Sequence, residues 1–178
     1  EEAYLPTPHS EYILIFNDSF VQANEYSYFT DVVEYLHAAD PKLNIVQVVN
    51  SPNSERLPNT YCVSDLSHSN LYFLVKNALV VLSSEQFCSE VCGIYDTPLV
   101  RISGNSLEGN VRPFFNKEGL HSTFCTEDQP SFSGVEPNKT INKILPEDIA
   151  RIALKKLNIK DPTPLYKTLY VGDMYRRY

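Results

Sequence analysis

Short runs of consecutive apolar residues recur along the chain, separated by stretches where apolar residues return every three or four positions. Tyr12-Ile-Leu-Ile-Phe16 is the first run and ends in the turn signal Asn17-Asp18-Ser19. Its lack of alternation predicts a strand covered on both faces. Phe29, Val32, Val33 and Leu36 follow an i, i+3, i+4, i+7 pattern, which predicts a helix over Tyr26 to Ala39 that Asp40-Pro41 stops. Ile45 to Val49 predicts a second strand, Asn50 to Thr60 with its two prolines a loop, and Tyr61 to Val63 a weak third strand. Asp65 or Ser67 caps the next helix, whose apolar stripe is Leu71, Leu74, Val75 and Ala78. Leu79 to Leu82 predicts a strongly buried strand closed by Ser83-Ser84. The helix expected over Glu85 to Tyr95 turns Phe87, Val91 and Ile94 inward. Pro98 to Ile102 and His121 to Cys125 predict two further strands, with the polar loop Ser103 to Ser106 after the first. Thr126 to Asn142 predicts a long loop. Pro146 suits the first position of a final helix, with Glu147 and Asp148 in its first turn, Lys155 and Lys156 in its last, and Ile149, Ile152, Ala153 and Leu157 buried.

Apolar strands alternating with amphipathic helices predict an α/β fold: an open, mostly parallel Rossmann-like sheet with helices on both faces. Right-handed crossovers put the strand C-termini on one edge, and ligands of such sheets bind there, where the strand order reverses. The loops expected at that edge are Asn17 to Ser19, Asn50 to Asn53, Ser83 to Gln86 and Ser103 to Gly109. Three segments follow: a Pro-containing linker over residues 1–10, the α/β domain over 11–159, and a Tyr-rich extension over 160–178.

Composition narrows the function classes. The chain has 178 residues, 43% of them hydrophobic, with 15 Lys+Arg against 22 Asp+Glu and a net charge of −7. That balance, without Lys/Arg runs, weighs against a nucleic-acid partner. The longest aliphatic run, Ala78 to Leu82, falls far short of a membrane span. No signal-peptide pattern is visible, and Cys62, Cys88, Cys92 and Cys125 lack zinc-site spacing, so free thiols in a cytoplasmic protein are expected. His9, His37, His68 and His121 show no triad or metal spacing, so neither a catalytic residue nor a metal site is assigned. The only methionine is Met174 and the chain begins at Glu1, which reads as a processed product or an excised piece of a longer polypeptide.

The stretch from Lys76 to Val100, a strand ending in small residues, a short helix, a Thr-Pro turn and another strand, resembles the nucleotide-sugar-binding half of GT-B glycosyltransferases. The nearest likeness is to the family 9, heptosyltransferase-like group. Glu25 to Phe29 resembles that group's aromatic approach to its first helix, and Ile141 to Ile149 its closing helix. The resemblance implies a nucleoside diphosphate sugar along the strand edge, its diphosphate on the helix that starts near Glu85. It implies no cofactor besides this substrate, and an acceptor and catalytic base from a second Rossmann-like half or the remainder of a larger polypeptide. The ligand-binding candidates are Ser84, Glu85, Gln86, Ser103, Gly104, Asn105 and Arg112. Glu85, Gln86, Phe87 and Glu90 stand where the family carries Asp-Ser/Thr-Gly-x-x-His, and Gln22 to Glu25 lacks the family's phosphate-holding lysine. These departures imply weakened, altered or lost donor binding. The alternative is therefore a degenerate glycosyltransferase-like module with a non-enzymatic structural or interaction role.

Overall fold

A computed structural model describes residues 11–50, 54–126, 133–136, 139–161, 168–171 and 174–177. The segment expected as an N-terminal linker lies outside them. Six strands form one sheet: β1 (Ile13–Phe16), β2 (Ile45–Val48), β3 (Tyr61–Val63), β4 (Val80–Ser83), β5 (Leu99–Ser103) and β6 (His121–Cys125). Their order is β3-β2-β1-β4-β5-β6 and every pairing is parallel. The chain builds outward from β1 on one side and from β4 on the other, so the order reverses between these two strands.

Among the described residues five helices accompany the sheet: α1 (Phe29–Ala39), α2 (His68–Asn77), α3 (Gln86–Tyr95), the single turn α4 (Glu108–Val111), and α5 (Pro146–Lys156). Ile13, Ile15, Val80, Leu82, Val100 and Ile102 face α1 and α5, meeting Phe29, Val33, Leu36, Ile149 and Ala153 in one buried cluster. The alternate residues Leu14, Phe16, Val46, Val81 and Leu99 face α2 and α3, where Leu74, Val75, Cys88, Val91 and Cys92 cover them. Both faces of β1 and β4 are covered, which is why their sequences read as continuous apolar runs. Tyr12 extends the second cluster and donates its hydroxyl to the Leu74 carbonyl at 2.8 Å. Burial pushes its pKa up to about 12.

Of the two cap candidates for α2, Ser67 takes the role, accepting from the Asn70 amide at 3.2 Å. The phase of α3 differs from the sequence expectation. Val91 is buried, but its companions are Cys88, Ser89, Cys92 and Gly93, while Phe87 and Ile94 face outward. The small side chains let the helix lie close on the sheet, and that closeness outweighs the larger apolar area of the other face. The expected Thr126 to Asn142 loop contains a 3-10 turn (Thr140–Lys143), and a second one (Gln22–Asn24) precedes α1. In the C-terminal extension Thr168–Val171 and Met174–Arg177 pair as antiparallel strands β7 and β8.

His121 begins β6 and accepts the Lys117 amide on Nδ1 at 3.0 Å, while its buried Nε2 has no partner among the described residues. Burial, reinforced by Lys156, holds its pKa below the ordinary 6.5. The folded imidazole therefore stays neutral where the unfolded one takes a proton, so stability falls as pH drops below about 6.5. Denaturant midpoints measured from pH 8 to 5 are expected to show this decline, and His121→Asn to make it shallower.

Candidate functional site

The reversal between β1 and β4 places a crevice at the carboxyl edge, between the loop after Phe16 and the loop after Ser83. Glu85 spans it. As N-cap of α3 it accepts the Gln86 amide at 2.9 Å through Oε1. Its Oε2 reaches the β1 loop, 3.3 Å from the Phe20 amide and 3.4 Å from the Ser19 hydroxyl. Three donors thus converge on one carboxylate at the positive end of a ten-residue helix. Gln86 turns away and donates to Glu90 at 2.7 Å. Ser84 is fully buried, and its hydroxyl has no partner among the described residues.

The next strand end is closed by the chain itself. Asn24 Oδ1 accepts from the Ser103 hydroxyl and the Gly104 amide, each at 3.1 Å. Asn105, held at φ 52°, donates to the Ser133 carbonyl at 2.9 Å. Arg112, just past α4, is exposed and forms no ion pair among the described residues. Ser84, Glu85 and Gln86 therefore sit together at the crevice, Ser103 to Asn105 lie beneath residues 23, 24 and 133, and among the described residues no hydrogen bond or ion pair joins Arg112 to either group. Arg101, inside β5, has no solvent exposure and bonds the Ser83 and Ile102 carbonyls. Burial lowers its pKa to about 10, so it remains a cation beneath the first turns of α3.

Beside the Glu85 bridge opens a cleft of about 430 Å³, walled by the loops after β1 and β2 and by the approach to α1. None of the seven sequence-derived candidates lines it. Its walls carry the carboxylates of Asp18, Glu25 and Glu55, the hydroxyls of Ser19, Ser27 and Ser54, Lys139, and a Phe20 ring that is 87% exposed. Asp18 Oδ2 accepts from the Asn50 amide at 3.0 Å and from the Ser54 hydroxyl, tying the two loops together. Lys139 lies 3.6 Å from Glu25, a half-exposed pair of little energetic weight. The turn Asn17-Asp18-Ser19 marks this corner in the sequence. Lys139 comes from a stretch without periodicity, and nothing in the sequence ties it to the rim.

No family model and no curated protein matches this sequence. Solved structures do. Escherichia coli heptosyltransferase WaaC, solved with ADP, superposes with a TM-score of 0.64 at 13% identity, covering 86% of this chain and 46% of WaaC. The fold is that of a heptosyltransferase-like GT-B half. The dodecameric heptosyltransferase TibC matches with a TM-score of 0.60 at 14% identity over 83% of this chain and 45% of its own. E. coli heptosyltransferase II matches at 0.53 and 11% over 83% of this chain and 47% of its own. The chain thus spans about half the length of these heptosyltransferases, as the sequence resemblance implied. At these identities the likeness lies in the path of the chain. Among the described residues no helix is long and apolar enough to cross a membrane.

Proposed function

We propose that this chain is the donor-binding half of a GT-B glycosyltransferase, taking a nucleoside diphosphate sugar at the crevice over β1 and β4. The observation that carries the reading is the seat around Glu85. The Phe20 amide, the Gln86 amide and the Ser19 hydroxyl already surround an anionic oxygen pair at the switch point. A phosphate that displaced the carboxylate would inherit these donors and the α3 dipole, which would also stabilise the charge of the departing diphosphate. Asp18 and Glu55 in the adjoining cleft are acceptors for the hydroxyls of a ribose or sugar, and Lys139 supplies a cation there. This half binds and orients the donor. The acceptor and the base come from a second Rossmann-like half, and four cysteines without a disulfide suit work in a reducing cytoplasm.

The same bridge favours a second reading. If Glu85 is a permanent occupant, the crevice is sealed and the domain is a non-enzymatic structural or interaction module. Glu85→Ser separates the two, because serine keeps the helix cap and removes the charge. Two like charges about 4 Å apart oppose each other by about 4 kcal/mol at an effective dielectric near 20. The variant is therefore expected to bind ADP-, UDP-, GDP- or CDP-linked sugars at least tenfold more tightly than the wild type. At 100-fold excess over Kd a bound donor adds about 2.7 kcal/mol, a thermal shift of roughly 5–10 °C for a chain of this size. No shift with any of the four in either protein would leave the module reading.

A further inference from the structure

We propose that the outer face of α2 and α3, with the turn at Pro113, Phe114 and Phe115, is a self-association surface that pairs with the same surface of a second copy of this chain. The inward set of small residues on α3 rotates Phe87, Ile94 and Tyr95 to the outside. Tyr72 of α2 stacks on Phe87 with ring centroids 5.9 Å apart. Pro113 and Phe115 lie on Gly93, where an added Cβ would come within 3.0 Å of the proline. The Phe114 amide donates to Glu90 at 2.9 Å, and the Phe114 and Phe115 rings meet edge to face at 5.1 Å. Tyr72, Phe87, Ile94, Tyr95, Phe114 and Phe115 thus all stand on the outer side of α2, α3 and the turn packed on α3, with Ile94 62%, Phe115 58% and Phe114 84% exposed.

Size selects the occupant. Six side chains of this kind, about half exposed, present roughly 600 Å² of apolar area, the upper end of what a monomer leaves uncovered. An isologous contact counts that area twice, and roughly 1,200 Å² is where stable interfaces begin. Two of the charges on this face, Glu90 and Lys76, are engaged by neighbouring groups. Glu90 accepts from Gln86 and from the Phe114 amide, and the Lys76 ammonium lies 5.6 Å from the Tyr95 ring centroid. The Glu90 carboxylate is thus hydrogen-bonded within its own copy, and the exposed Arg112 beside Pro113 stands at the margin of the apolar surface, so the area rather than charge carries the pairing. The anchoring of Phe114 and Phe115 to α3 keeps the ordering cost low. This inference is independent of donor binding.

The test is sedimentation of the full chain from 1 to 200 µM at low and high salt. A dimer populated in the tens of micromolar is expected, and it strengthens with salt because each copy carries a net charge of −7. Phe114→Asp and Ile94→Asp are each expected to weaken it at least tenfold while leaving the thermal midpoint unchanged, since both side chains are mostly in solvent. A monomer throughout, a dimer that both variants leave intact, or one that salt dissolves would overturn the proposal.

Discussion

Gly104→Ala is expected to cost about 3 kcal/mol, the upper range for overpacking a closed site, and to lower the thermal midpoint by about 6–12 °C. A Cβ on residue 104 would stand 2.5 Å from the Ala23 carbonyl oxygen and 2.8 Å from the Ile141 Cβ. The first obstacle is backbone and the second belongs to a fully buried side chain, so neither can swing aside. Relief requires the two 3-10 turns to move off the end of β5, which also draws Asn24 away from Ser103 and Gly104. Gly109→Ala is the control: nothing lies within 4 Å of the added atom. Thermal unfolding of the two variants side by side checks the expectation. Equal midpoints would mean that the rim is looser than this packing requires.

The second large effect is expected at Gln47, a fully buried amide in the middle of an apolar strand. Its Nε2 donates to Asn17 Oδ1 at 2.8 Å and to the Glu55 carbonyl at 2.6 Å. Its Oε1 accepts the Leu57 amide at 2.9 Å, with longer contacts to Thr60 and Cys62. One side chain thus holds the loop that carries Ser54 and Glu55, a wall of the cleft. Gln47→Leu keeps the volume but strands the Leu57 N–H and the Asn17 oxygen. At about 1–3 kcal/mol for each stranded group, a loss of about 3 kcal/mol is expected. Hydrogen exchange at the Leu57 amide supplies the local readout. It should accelerate far more than exchange in α5, whereas a purely global loss would raise both alike.

These two sites show what the sequence makes legible. The buried strands announce themselves because β1 and β4 are covered on both faces, and α5 because Pro146 at its start and its charge order agree, although Ala150 and Leu154, rather than Ile152 and Leu157, join Ile149 and Ala153 on its fully buried side. Gln47 does not, since a lone amide in Ile45-Val46-Gln47-Val48 fits a strand as well as its neighbours do, and its partners lie eight to thirty residues away. The phase of α3 was misleading for a related reason. Hydrophobicity points to Phe87 and Ile94, whereas close packing on the sheet selects Cys88, Cys92 and Gly93. At the candidate site Glu85 is visible as a helix cap, but its second contact, with Phe20 sixty-five positions earlier, exists only once β1 and β4 are neighbours. The likeness to a nucleotide-sugar-binding half is legible as layout, while the contents of the crevice are decided by such long-range meetings.

The seam between the approach to α1 and the segment before α5 bears on how the polypeptide is made. Tyr26 donates its hydroxyl to the Ile144 carbonyl at 2.7 Å, and Asn142 exchanges hydrogen bonds with Ser27 on both its amide oxygen and its amide nitrogen. The apolar stripe of α1 is covered by α5, more than a hundred residues later. At translation speeds of about 5–20 residues per second, that stripe leaves the ribosome roughly 5–20 seconds before its cover exists. The nascent chain therefore passes through a window in which the part of the Phe29, Val33 and Leu36 stripe that meets α5 is open to chaperones and to neighbouring nascent chains, and slowing synthesis between residues 40 and 145 would lengthen it.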